Sequence, residues 1–401
     1  MTISLDSIVT VLQATVLSPT LCWAPLILRS GLQLAIESYD LGVQKVIQAA
    51  TYAESSFDKI LFTVFLYIQT NILPWSAGWK WYLVFCFVVT ACWDILVLDT
   101  FLARRRGGHA TFLPDPKKDA VVVTGGGLKD GLGRAISKWF QKRGFFVIVL
   151  DIQWQDDTEK DELLPKIQFA KCNVAEYEEV AKVFKDDLKS LLPEGILPSI
   201  LINNAGVTHN KFLIDIDPET VKRTISVNLL APFWTCKALL SQVFASDTKY
   251  RGASIVNVGS VLGTIGCPEL TAYCASKGGI RLFHDCLLHE VGEPYYSASD
   301  EKPPVNVLLV TPGQLDTSMF KTIDTPSTFI APLVRANDLA HEIGAAIVTG
   351  QTGVLSMPFY TRISWAFWAL PSFITEGFRK ITKMDDQMQT FGKKRLIGKL
   401  N

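Results

Sequence analysis

The chain has 401 residues, long enough for two domains or for one large domain with extensions. Lysine plus arginine equals aspartate plus glutamate at 39 each, so the formal net charge is zero; nucleic-acid binders carry a basic excess, so no nucleic-acid partner is expected. The eight cysteines, at 22, 86, 92, 172, 236, 267, 274 and 286, show no C-x-x-C pair and no metal-ligand spacing, which reads as reduced, mostly buried thiols and no metal site.

A mean hydropathy of +0.23 points to a local greasy segment, and the first 107 residues supply it. Residues 81–98, "WYLVFCFVVTACWDILVL", are apolar apart from Thr90 and Asp94, near the ~20 residues that cross a bilayer. Trp75, Trp79, Trp81 and Tyr82 gather at one end like an interfacial belt, and Arg104 to Arg106 close the other. Positive charge favours the cytoplasm, so the chain after Arg106 is expected there. Asp94 opposes spanning, since a carboxyl costs roughly 2.5–3.5 kcal/mol at a helix centre, and a buried core helix is the alternative. Residues 60–75 offer a second span or half of a hairpin, and 16–36 a weaker one broken by Pro19 and Pro25. The start carries Asp6 and no basic n-region, so a retained anchor is expected rather than a cleaved signal.

Residues 107–119 read as a linker of glycine, proline and charge. Beyond it, "AVVVT" (120–124), "FFVIVLD" (145–151), "IQFAKC" (167–172), "SILIN" (199–203), "SIVNV" (254–258), "VNVLLV" (305–310) and "GVLSM" (353–357) alternate with longer helical stretches. Such near-continuous apolar runs suit a parallel sheet covered on both faces. The predicted fold is therefore α/β, a doubly wound, Rossmann-like domain over 116–358. Residues 1–107 are assigned as a helical membrane anchor and 359–401 as an amphipathic, basic extension.

"TGGGLKDGLGRAIS" (124–137) follows the first strand and opens a helix. Glycines there permit a tight turn and let backbone N–H groups approach a pyrophosphate at the helix N-terminus. Asp151 ends the next strand, placed to accept hydrogen bonds from a ribose diol and to repel a 2′-phosphate. NAD is thus favoured, with NADP left open by the nearby cations Lys129 and Arg134. Asn173, in "CNV", offers a side-chain oxygen acceptor to a bound cofactor. Further on, Tyr273 and Lys277 stand four residues apart in "TAYCASKGGI", neighbours on one helix face. A phenol titrates near pH ~10, so it needs an adjacent cation to work as an acid or base at neutral pH.

These motifs resemble the short-chain dehydrogenase/reductase family in its classical form, over roughly 120–357. The family's T-G-x-x-x-G-x-G appears here as Thr124-Gly125, then five residues instead of three, then Gly131-Leu132-Gly133. "NNAG" is Asn203, Asn204, Ala205 and Gly206; the resemblance implies that it supports the sheet and borders the adenosine. It also implies that Asn228, in "VNLLAPF", holds a water for proton transfer, and that Thr317, in "TPGQLDTSMF", contacts the nicotinamide carboxamide. Ser260 precedes Tyr273 by thirteen residues, the family's usual interval. Tyr273 would then exchange the proton during hydride transfer, Lys277 would lower its pKa and hold the nicotinamide ribose, and Ser260 would bind the substrate oxygen.

Residues 317–335 fall where the family places a substrate lid, and Met319, Phe320, Phe329 and Ile330 make it apolar. With an anchor, this implies a lipophilic alcohol, ketone or aldehyde, as in the membrane-anchored retinol-dehydrogenase-like subgroup. Residues 362–383 mix aromatics with Arg379, Lys380 and Lys383, suiting a helix in a membrane interface; packing over the substrate cleft or a homodimer contact are the alternatives. Membrane lipids are expected partners, with the anchor in the endoplasmic reticulum or on a lipid droplet and the catalytic domain cytosolic. Cys267 is a candidate for the cleft wall, Cys274 for packing. His209, His284, His289 and His341 lack ligand spacing and read as structural or surface. Two rival functions remain: an NADPH-dependent ketone reductase of lipid biosynthesis, and a catalytically silent membrane scaffold or lipid-binding protein.

Overall fold

A computed structural model describes residues 111–155, 166–292, 303–320, 331–382 and 385. The expected anchor at 1–107, the lid residues Phe329 and Ile330, and the basic end at 392–400 lie outside them. Among the described residues no helix is long and apolar enough to cross a membrane, and no cluster of ligand-type side chains could hold a metal ion.

The first half runs β1 (Asp119–Thr124), α1 (Leu132–Gln141), β2 (Phe146–Asp151), β3 (Ile167–Lys171), α2 (Tyr177–Lys182), α3 (Leu188–Leu191) and β4 (Leu197–Asn203). Then come α4 (Pro218–Ile225), a widened π turn (Ser226–Leu230), α5 (Ala231–Val243), β5 (Ala253–Val258), α6 (Thr271–Gly292) and β6 (Val305–Pro312). The chain continues through α7 (Ala336–Val348), β7 (Gly353–Met357), α8 (Tyr360–Ile363), a 3-10 segment (Ser364–Ala369) and α9 (Ser372–Thr382). Every predicted strand is present, each boundary within two residues of the expected run.

The strands form one seven-stranded sheet in the order β3-β2-β1-β4-β5-β6-β7. Each pairing is parallel. Alternation within a strand feeds two cores. Val121 and Val123 of β1 pack with Ile136 and Phe140 of α1 and Leu339 and Ile343 of α7. Val122 faces the other way, with Val180, Leu239 and Leu287. Burial on both faces is why the strands carry no polar alternation. The stretch read as a linker contributes to the first core: Phe112 is buried there, and its carbonyl accepts from Asn306 Nδ2 at 2.7 Å.

The strand order reverses direction between β1 and β4, and a cleft opens outside their carboxyl ends, as doubly wound sheets dictate. His284 of α6 lies away from it. The ring is buried, the backbone of Gly353 offers it only a marginal hydrogen bond, and burial pushes its pKa down to about 4. A base depressed in the folded state stabilises above its unfolded pKa, and that contribution is lost as pH falls from 6.5 towards 4. The acid loss at this one residue is expected to reach roughly 3 kcal/mol. Urea unfolding at both ends of that window should show His284→Leu losing measurably less stability than wild type; equal losses would place the acid sensitivity elsewhere.

Candidate active site

The glycine-rich turn leaves β1 through Gly125, whose φ of +72° is left-handed and whose absent Cβ would sit 2.5 Å from Ala205 Cα. No other residue fits there without moving β4's end. A Cβ on Gly133 would meet the Gly125 carbonyl at 2.5 Å and Asn204 Nδ2 at 2.6 Å, so the start of α1 lies directly on the turn. The "NNAG" stretch holds this arrangement. Asn204 Nδ2 donates to the carbonyls of Thr124 and Gly125 at 3.0 and 2.9 Å, and the N–H groups of Asn204 and Ala205 both reach Thr124 Oγ1. Asn203 works one layer deeper, donating to Asn257 Oδ1 at 2.9 Å and accepting from Thr235 Oγ1 at 2.6 Å.

The two extra loop residues fold back over the end of β2. Gly127 N–H donates to Asp151 Oδ2 at 2.8 Å, and its carbonyl accepts from Gln155 N–H at 2.9 Å. Arg134 was expected as a cation able to weaken the NAD preference; its geometry corrects that. Its guanidinium is buried, donates to the carbonyls of Gly126, Gly127 and Gln155 at 3.0–3.1 Å, and stacks 3.7 Å over Trp154. It braces the longer loop. The sequence held a signal for this in Trp154 beside the loop's landing site, but nothing specified the pairing.

The structure fits a dinucleotide in three respects. The N-terminus of α1 has no side-chain cap and no acid in its first turn, which leaves its dipole and leading N–H groups for a phosphate. Gly125, Gly131, Leu132, Asp151, Asn173 and Asn204 line one continuous cavity of about 1240 Å³. That exceeds the ~300–1,000 Å³ of most small-ligand sites, leaving room for a cofactor and a substrate together. Asn173 Oδ1 also accepts from Ala175 N–H at 3.3 Å, which leaves its second lone pair for another donor.

Ser260, Tyr273 and Lys277 come together in the same cavity wall, all buried. Ser260 accepts from Leu262 N–H at 3.1 Å, which fixes the hydroxyl at the end of β5, and it lies close enough to the Tyr273 phenol to act on that group's pKa. Lys277 Nζ donates to Val258 O at 2.7 Å and lies 5.9 Å from the Tyr273 ring centre. Burial lowers the Lys277 pKa to about 8. Tyr273 departs from the sequence expectation of a lowered pKa. Burial pushes it up to about 12, and Ser260 only partly opposes this. The reason is depth: the phenol is buried, and the ammonium donates to the Val258 carbonyl.

Asn228 sits on the π turn, buried. Its amide accepts from Val207 N–H at 2.8 Å and donates to Val207 O at 2.9 Å and Ser276 Oγ at 3.1 Å. The Asn228 side chain thus ties the backbone beside Gly206 to α6. Ser276, which sequence reasoning passed over, completes that link and donates in turn to Tyr273 O at 2.7 Å. Thr317 is buried and lines the cavity.

The remaining wall is largely apolar, with Glu219, Lys222 and Arg223 also on it. Leu262, Ile265, Cys267, Leu270, Met319 and Phe320 supply one side, with Phe320 edge-on to Tyr273 at 6.0 Å between ring centres. Cys274 is absent from the lining and packs beside Leu270 and Tyr273. The C-terminal segment closes the other side with Phe367, Leu370, Ile374 and Phe378. It is held by Trp368 Nε1 donating to Thr264 O and by Arg379 Nη2 donating to Gly266 O at 3.0 Å.

The short chain dehydrogenase family model matches residues 119–327. The chain is similar to an uncharacterized oxidoreductase of Saccharomyces cerevisiae, 32% identical over 62% of this chain and 76% of that protein. It is 30% identical to retinol dehydrogenase 10 of Homo sapiens over 53% of this chain and 67% of that protein. Short-chain dehydrogenase/reductase family 16C member 6 of Bos taurus is 28% identical over 63% and 77%. The chain thus belongs to the short chain dehydrogenase family, in its retinol-dehydrogenase-like subgroup, and is an oxidoreductase acting on CH–OH groups.

Proposed function

We propose that the protein interconverts a lipophilic primary or secondary alcohol and its aldehyde or ketone with a nicotinamide dinucleotide, NAD in preference to NADP. The observation that carries this reading is the Ser260–Tyr273–Lys277 cluster within a cavity that joins Asp151 to an apolar end. The dinucleotide supplies the two-electron donor or acceptor when bound. Gly125, Gly131, Gly133 and the uncapped start of α1 would take its phosphates, Asp151 its adenosine ribose, and Thr317 and Lys277 its nicotinamide half. An ammonium has three donors, and Lys277 has spent one on Val258 O. Ser260 and Tyr273 converge on one oxygen of the substrate. The phenol gives that oxygen a proton as a carbonyl is reduced, or takes the hydroxyl proton as an alcohol is oxidised, while the serine hydroxyl stabilises the charge in between. Asn228 fixes Val207 and Ser276 and so acts as a positioning residue.

The apolar walls support a lipophilic substrate. The run at 81–98 with Arg104 to Arg106 supports a retained anchor with the catalytic domain on the cytosolic side, in the endoplasmic reticulum or on a lipid droplet. A panel of long-chain alcohols, retinoids and steroids, followed by nicotinamide absorbance with each cofactor, tests the reading. Turnover confined to short, water-soluble alcohols would refute the substrate class.

Asp151→Asn keeps an acceptor for Gly127 N–H but removes the charge. The ratio of kcat/KM for NADP over NAD is expected to rise ~10–100-fold, because a like-charge clash costs several kcal/mol. An unmoved ratio would mean that Asp151 does not face the ribose.

A further inference from the structure

The C-terminal segment has two apolar faces. One lines the cavity through Phe367, Leu370 and Ile374. The outward one stays apolar as well: Trp365, Trp368 and Phe373 are 58, 77 and 73% exposed. A segment that only covered a cleft in water would turn polar residues outward. The loop that pins it, residues 264–270, also carries Ile265, Cys267 and Leu270 of the cavity wall. At its other end, Glu269 O accepts from Lys211 N–H at 3.1 Å. Directly after Lys211 comes a second exposed apolar tip, in which Leu213 and Ile214 are 69 and 91% exposed. Two exposed apolar tips thus attach to the two ends of one cavity-wall loop.

We infer that these tips form a rim seated on a lipid leaflet, and that substrate enters the cavity across this rim directly from the bilayer. The entry route rests on the lipophilic substrate class proposed above; the leaflet contact does not. At the C-terminal tip charge selects lipid over a protein partner as the occupant, Glu376 being its one exposed acid among the described residues, while the second tip, flanked by Asp215 and Asp217, contributes apolar area only. Arg362 and Lys380 are exposed within the same segment, and the chain after Asp386 carries Lys393, Lys394, Arg395 and Lys399 with no acid. Tryptophan set among cations is the composition of a surface in the headgroup layer, and clustered cations draw it to anionic lipid.

The contact is tested on the full chain reconstituted in phosphatidylcholine–phosphatidylserine vesicles. Photoreactive p-benzoylphenylalanine is placed singly at Leu213, Trp365 or Phe373, with exposed Lys185, outside the cavity wall, as control. Lipid adducts at the three rim positions are expected about tenfold above the control. Yields no higher than at Lys185, or adducts to protein alone, overturn the leaflet contact. Photochemistry needs neither turnover nor cofactor, so that failure would leave the redox reading standing. The route is tested with a diazirine-bearing fatty alcohol dissolved in the same vesicles. Labelling of residues 262–270 is expected to fall about tenfold in the Leu213→Asp/Trp365→Asp/Phe373→Asp variant while labelling from detergent micelles is unchanged. Undiminished labelling from vesicles overturns the route, and labelling from neither medium overturns the lipophilic substrate class and the route with it.

Discussion

Tyr273→Phe is expected to lower turnover by about 10³-fold while the cofactor's dissociation constant stays within a few-fold, because acid–base catalysis supplies ~10²–10⁴ and the phenyl ring is retained. The substitution removes one oxygen from a buried site. The ring keeps its edge contact with Phe320, and Ser260 keeps its hydrogen bond from Leu262 N–H. The loss is therefore chemical rather than structural. Single-turnover kinetics with a saturating alcohol, beside a cofactor titration by fluorescence, separate the two quantities. A variant within tenfold of wild type would show that another group moves the proton. Ser260→Ala added to Tyr273→Phe is expected to cost little more, since groups that act on one oxygen do not contribute additively.

The sheet was legible because each strand is buried on both faces, so its run of valine, isoleucine and leucine needs no knowledge of its neighbours. The parallel pairing followed from the helical stretches between strands, whereas the order β3-β2-β1-β4-β5-β6-β7 came only with the structure. The cofactor turn was legible at Gly125 and Gly133, where backbone crowding admits nothing larger. What the sequence hid depends on tertiary placement. Arg134 carries a charge in the sequence but spends it on three carbonyls, because the longer loop folds onto residues 153–155. The π turn aims the Asn228 amide at Val207, and no spacing rule foretells such a turn. The i, i+4 spacing gave the nearness of Tyr273 and Lys277 but not their depth, and depth sets both pKa directions. Packing of residues 362–383 over the cleft was one alternative legible in the sequence, but its anchors were not, because Thr264 and Gly266 are more than 100 residues away in the chain.

Lys277 carries the second large expectation, and its sign can be worked out. Its folded pKa is about 8 against an ordinary 10.5, so the ammonium is charged below about 8 and neutral above. Carbonyl reduction needs the Tyr273 proton, held up to about 12, and the Lys277 charge. Reductive kcat/KM should therefore be level at neutral pH and fall as pH rises through about 8. Lys277→Arg keeps its charge at every accessible pH. It should turn over more slowly yet lose the alkaline fall; a fall at the same pH in this variant would assign the titration to another group. Lys277→Met should lose ~10²–10⁴ in turnover. Stability should move differently. A lysine depressed by burial destabilises the fold below pH 8, and this cost is relieved as pH rises from 8 to 10.5. Removing the charge at pH 7 returns roughly 3 kcal/mol, offset by ~1–3 kcal/mol for the Val258 carbonyl left without its donor. The methionine variant is thus expected to melt no lower than wild type while being nearly inactive. A large drop in Tm would mean that the ammonium serves the fold more than the reaction.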